Sequence, residues 1–146
     1  MVKYLGVYRR TDGWYIHSTV ETTKGVLLTV PPFVKLPLDE RSQILGEKVQ
    51  RVLAIDHGIV PHPKVFEGIF QSMLNLAKVK SWSQFMKGVP SIGISDDGIQ
   101  LSFEPYANKG PRGAYRPLVE KYFQINRDST PVEIAAAVER AIALCE

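Results

Sequence analysis

A chain of 146 residues, 45% hydrophobic and 23% charged, has the size of one domain with room for a buried core, and its composition excludes a disordered or fibrous polymer. Its formal charge of +3 is a modest excess, with Lys and Arg scattered among Asp and Glu rather than gathered into the stripes of a dedicated nucleic-acid binder. A single cysteine, Cys145, excludes an internal disulfide.

The chain opens with a predicted hairpin from Leu5 to Thr19. Asp12-Gly13 at its turn suits a type I′ geometry, in which both central residues take positive φ. A second turn at Thr23-Lys24-Gly25 leads into Val26–Val30, and Pro31-Pro32 is expected to break that strand before the short extended run Phe33–Leu36. Asp39 is the expected cap of a first helix reaching Ile55, with Leu45, Val49, Val52 and Leu53 on one face. Gly58 can take a left-handed conformation after it. Pro61-His62-Pro63 punctuates the middle. A second helix is predicted over Lys64–Lys78, and Ser81 caps a short turn from Trp82 to Met86.

Ile92 to Phe103 reads as a second hairpin around Asp96-Asp97-Gly98. A polar loop, Asn108–Gly113, precedes an extended stretch from Leu118 to Ile125. Thr130-Pro131-Val132-Glu133 then combines a capping box with proline at the first helical position, the strongest local start in the chain. Cys145, on the last turn of that helix, is read as a small packed hydrophobe.

The two halves run in parallel. Asp39, Leu45, Val49, Arg51 and Leu53 answer Asp128, Ile134, Val138, Arg140 and Ile142 at one constant spacing, and Leu36 answers Ile125 at the same spacing. The expectation is a single α+β domain over residues 1–146: a twisted, mainly antiparallel sheet with amphipathic helices against it, built by internal duplication.

Candidate chemistry is sparse. His17, His57 and His62 lack the helical i, i+4 spacing of a zinc motif, and one cysteine cannot complete a thiolate site. Asp56-His57 is read as an end-of-helix pair. There is no serine in a nucleophile elbow and no Walker-type glycine loop. No catalytic residue, cofactor or metal site is expected. The aromatic residues Tyr8, Trp14, Tyr15, Tyr106 and Tyr115 fall in predicted hairpins and loops, interleaved with Arg9, Arg10, Arg112 and Arg116. Tyr, Trp and Arg dominate protein–protein hot spots, because they cover much area at low entropic cost.

Several ordered pieces carry a family resemblance: Leu5-Gly6-Val7-Tyr8 with Gly13-Trp14-Tyr15-Ile16, Leu45-Gly46-Glu47-Lys48-Val49, Lys80-Ser81-Trp82-Ser83-Gln84-Phe85, Asp96-Asp97-Gly98, and the close from Val132 to Cys145. In order and spacing they resemble the immunity proteins of contact-dependent growth inhibition, the CdiI family. The resemblance implies a cytosolic, non-catalytic inhibitor that binds the C-terminal toxin domain of an exported surface protein. Such toxins are often nucleases, frequently acting on transfer RNA. It offers no catalytic residues to carry over.

The slightly basic charge departs from the acidic character common among nuclease inhibitors, and a local patch such as Asp96, Asp97 and Glu104 could make the contact instead. By residue type and expected exposure, the candidate toxin-binding residues are Tyr8, Arg9, Trp14, Tyr15, Asp96, Asp97, Tyr106, Arg112 and Tyr115. Direct nucleic-acid and membrane partners are not expected: no secretion-type start is seen, nor any apolar run near the ~20 residues that span a bilayer. Two other readings stay open. One is a nucleic-acid-binding module using Arg9, Arg10, Lys109, Arg112 and Arg116; the other is an enzyme with a site near His57 or the Lys109–Gly113 loop.

Overall fold

Strand β1 (Lys3–Arg10) alternates strictly: Leu5 and Val7 point to one face of a sheet, while Tyr4, Gly6 and Tyr8 point to the other. It pairs antiparallel with β2 (Gly13–Glu21) on one side and with β4 (Ser91–Asp96) on the other. Strand β3 (Leu27–Leu36) adds to β2, and β5 (Gln100–Asn108) adds to β4. Two short strands share the far side of β5: β6 (Tyr115–Pro117) along its end and β7 (Phe123–Asn126) along its start. The computed structural model describes residues 2–66 and 68–146.

The resulting open, seven-stranded sheet pairs its strands antiparallel throughout, in the order β3-β2-β1-β4-β5, with β6 and β7 beyond. This is the expected α+β architecture. The order is also a palindrome: each half contributes a hairpin, a third strand beyond it and then a helix, and the two first strands meet in the middle. The helices are α1 (Ser42–Ala54) and α5 (Pro131–Leu144), which pack side by side on one sheet face.

That face holds the main core. Leu45, Val49, Val52 and Leu53 of α1 and Ile134, Val138 and Ile142 of α5 pack on Leu5, Val7, Trp14, Ile16, Ile92, Ile94, Leu101 and Phe103. Each such side chain, fully buried, contributes about 1.5–3 kcal/mol. Gly46 lets the helices approach, because a Cβ there would collide with the backbone of Pro131. Thr130 accepts from the Glu133 amide while the Glu133 carboxylate accepts from the Thr130 amide, completing the predicted capping box. Cys145, just past α5, packs partly buried against this core.

A smaller cluster lies at one end of the opposite face, where α2 (Gln71–Ala77) and α3 (Trp82–Met86) cover Tyr8 and Tyr15 with Met73, Leu74, Ala77 and Phe85. Ser81 caps α3 as expected, accepting from the Gln84 amide.

Local details depart from the sequence reading. Helix α1 begins at Ser42, because Pro37–Glu40 closes a turn first and Arg41 stands at the cap with no side-chain hydrogen bond. The helix predicted over Lys64–Lys78, a span containing Glu67 outside the described residues, starts only at Gln71: Gly68 takes φ +80, which a right-handed helix cannot contain. Strand β3 runs through Pro31-Pro32 instead of ending there. The two prolines sit in a register shift opposite His17 and Ser18, on an edge strand, where no ladder hydrogen bond is asked of them.

The turn at Asp12-Gly13 is not type I′, since Asp12 does not take positive φ. Its carboxylate is instead held by the Tyr15 hydroxyl at 2.7 Å and Arg10 Nε at 3.1 Å. The Lys109 loop winds a single helical turn, α4 (Gly110–Gly113), and a 3₁₀ turn at Val119–Lys121 separates β6 from β7.

Candidate functional site

The sheet face not covered by α1 and α5 carries Tyr4, Gly6 and Tyr8 from β1, Tyr15, His17 and Thr19 from β2, Ser91 and Gly93 from β4, and Glu104 and Tyr106 from β5. Helices α2 and α3 roof one end of it. Beyond the roof lies a cleft of about 210 Å³, lined by Tyr4, His17, Phe70, Gly93, Glu104 and Tyr106 among others.

Two glycines make the cleft. Gly6 and Gly93 are register partners on β1 and β4. A Cβ on Gly6 would strike the His17 ring, and one on Gly93 would strike the Tyr106 hydroxyl. The ring of His17 and the phenol of Tyr106 therefore lie inward over bare backbone.

The electrostatics follow from burial. His17 is 5% exposed, and loss of water holds its imidazole down to about 4, partly offset by the hydrogen bond to the Ser18 carbonyl at 2.8 Å. That carbonyl only accepts, so Nδ1 carries the proton and Nε2 faces Gly6. Glu104 is raised above the ordinary carboxylate range by desolvation, against which a hydrogen bond from the Tyr122 hydroxyl works in part. Tyr106 is raised by burial first and by the Glu104 charge second. Tyr4 is likewise raised by burial, then by Glu21 and Glu104.

The nine candidate residues divide among separate places. Tyr8, Tyr15, Tyr106 and Tyr115 share the cleft face. Tyr8 stands edge-on to Trp82, Phe85 and Tyr115 with centroids 5.7, 5.3 and 5.7 Å away, and Tyr115 lies 6.5 Å from Tyr106. Arg9 and Trp14 lie on the opposite face, the guanidinium 5.5 Å over the indole. Asp96 and Asp97 are at the β4–β5 turn, and Arg112 is exposed on α4.

The expected exposure is corrected for four of them. Tyr8, Trp14 and Tyr15 are buried, because the strand alternation that placed them also delivers them under α3 or α5. Asp96 is buried too, with both carboxylate oxygens 3.1 Å from Arg127 Nε. Asp97 is exposed but occupied, accepting from the amides of Ile99 and Gln100 at 2.8 Å. The expected acidic patch is thereby split: Asp96 pairs with Arg127, while Glu104 faces the cleft.

The basic set does not gather either. Arg10 donates to Asp12 and to the Phe85 carbonyl, and its guanidinium stacks 4.8 Å over the Phe85 ring. Arg116 donates to the Gly113 carbonyl. The histidines bond within the second half of β2 or just past it: His17 to the Ser18 carbonyl, His57 Nε2 to the Ser18 hydroxyl at 2.7 Å, and His62 to Thr22 at 3.0 Å. Among the described residues, no three His, Cys, Asp or Glu side chains group as a metal site would require, and no helix is long and apolar enough to cross a membrane. A second, larger cavity of about 870 Å³ opens beside α5, lined by Arg9, Lys87, Val89, Asn108, Ile142 and Cys145 among others.

Tyr4, His17 and Tyr122 escaped the sequence reading. The alternation of Tyr4, Gly6 and Tyr8 along β1 could have found Tyr4; His17 and Tyr122 reach the cleft through long-range packing, beside Gly6 and Glu104.

No protein-family model and no curated protein matches the chain. Solved structures do. A protein of unknown function from Neisseria meningitidis superposes with a TM-score of 0.82 at 17% identity, covering 100% of this chain and 96% of that one. A chain of the CdiA-CT/CdiI toxin and immunity complex from Yersinia pseudotuberculosis superposes with a TM-score of 0.80 at 14% identity, covering 100% and 98%. The likeness is one of fold. It runs over the whole of this chain and nearly the whole of each of the others.

Proposed function

We propose that this protein is an immunity protein, which binds the toxin domain of a contact-dependent growth inhibition system and blocks it by occlusion. The observation that carries the reading is the full-length fold similarity to a chain of the toxin and immunity complex from Yersinia pseudotuberculosis. The ordered motifs from Leu5 to Cys145 support it from the sequence side. In this reading the protein performs no chemistry of its own, acts in the cytoplasm, and faces a toxin that is a nuclease, with a tRNA-cleaving enzyme the leading case.

Such inhibition needs an interface of roughly 1,600 Å² with a few well-anchored aromatic or charged side chains. The cleft face offers both kinds, in half-buried Tyr106 and Tyr115 and in Glu104. The test is co-expression with the toxin domain encoded immediately upstream. Stable co-purification and protection of the host from growth arrest are expected. A pair that neither associates nor protects would overturn the reading.

A further inference from the structure

Glu104 is the one acid of the cleft face aimed into the cleft without a cation beside it: the ion pairs among the described residues are Arg10–Asp12, Lys35–Asp12, Lys121–Glu146 and Arg127–Asp96. Its cross-strand neighbour on β4 is Gly93, which offers no side chain, and the space above that glycine is taken by the Tyr106 hydroxyl, so no cation meets the carboxylate from that side. Around it stand the phenols of Tyr4, Tyr106 and Tyr122, whose ionisation the carboxylate itself opposes. His17, across the cleft, is neutral at physiological pH and adds no positive charge. Partial burial of a carboxylate that holds the Tyr122 hydroxyl but no cation is costly, and such groups are ordinarily paired.

We propose that Glu104 anchors a basic side chain of a protein partner, with the cation held against the carboxylate and over the faces of the surrounding tyrosines. The proposal rests on the immunity reading and names a contact within it. The chemistry selects the ligand: a carboxylate flanked by aromatic rings matches a guanidinium or alkylammonium, through a charge-assisted hydrogen bond and cation–π attraction together. The size selects the source. A cleft of about 210 Å³ falls below the ~300–1,000 Å³ usual for small-molecule sites and takes the end of one long side chain. Half-exposed Leu27 at its rim supplies the apolar surround that keeps water from a central anchor.

The experiment is an NMR titration of the labelled full chain with Nα-acetyl-arginine amide and Nα-acetyl-lysine amide, with Nα-acetyl-citrulline amide as the neutral isostere. Saturable shifts are expected at Gly93, Glu104 and Tyr106, with a Kd in the low millimolar range. Citrulline amide gives no saturation, and E104Q weakens the cations at least tenfold. The carboxamide that E104Q introduces still accepts from Tyr122, and the substitution removes a half-buried charge, so this variant melts no lower than the parent and remains a folded control. No saturation by about 50 mM, citrulline binding equal to arginine, or an unaffected E104Q would overturn the site. The toxin plays no part in the titration. Its failure therefore removes the Glu104 anchor and leaves the immunity reading standing, whereas a toxin that does not bind removes the reading and leaves the cation affinity intact.

Discussion

Gly6 and Gly93 face one another across the central β1–β4 pair, and each lies beneath an inward-leaning ring, His17 over the first and Tyr106 over the second. The middle of the sheet is thus padded by rings from the flanking strands rather than by its own side chains. Gly6→Ala puts a methyl group into the buried His17 ring, which is fixed by its bond to Ser18 and cannot step aside. A loss of about 1–3 kcal/mol is expected. Urea denaturation checks it; an unchanged midpoint would show that the ring is free to move.

Gly46→Ala should be worse. The added Cβ meets the backbone of Pro131 at the start of α5, and no side-chain rotation relieves that clash. The helices must separate over their shared core, at a cost of about 3 kcal/mol or more. Thermal unfolding followed by circular dichroism measures it, and a melting temperature within error of the parent would contradict the observed packing.

His17 makes stability depend on pH with a definite sign. Unfolded, the imidazole takes a proton near pH 6.5; folded, it does so only near 4. Between these values the unfolded chain binds the extra proton, so stability is full above the upper value and falls as acid is added, by about 3 kcal/mol at most. A His17→Gln variant should show a shallower decline of urea midpoint between about pH 7 and pH 4.5 than the parent. Parallel curves would place the proton uptake on other groups.

Tyr106 and Asp96 should separate binding from stability. Under the proposed function, with the cleft face as the interface, Tyr106→Ala empties the wall of the cleft and is expected to weaken toxin binding by about 2 kcal/mol, roughly 30-fold, by calorimetry. Asp96→Asn loosens the pair with Arg127, whose side chain is 49% exposed, so a stability loss within about 1 kcal/mol and no change in affinity are expected. The reverse pattern would move the interface to the β4–β5 turn.

Where local chemistry decides structure, the sequence was readable. The Thr130 capping box, the Ser81 cap, both hairpins and the apolar stripes of α1 and α5 need only neighbours within a few residues. Long-range geometry was not readable. Pro31-Pro32 would end a central strand; it survives because β3 is an edge and the register shifts there. Alternation told which face Tyr8 and Tyr15 occupy, but not that α3 would come back from much later in the chain to cover them. Glu104 was visible as an acid beside Asp96 and Asp97, yet its isolation depends on Gly93, a residue of the neighbouring strand.

Because the strand order reads the same from either edge, the boundary between the two halves of the chain falls through the centre of the core instead of beside it. Helix α1 from the first half and α5 from the second lean on one another over strands from both. Neither half keeps a dry interior by itself, so peeling away one exposes the other, and the molecule has no smaller folded piece to retreat to.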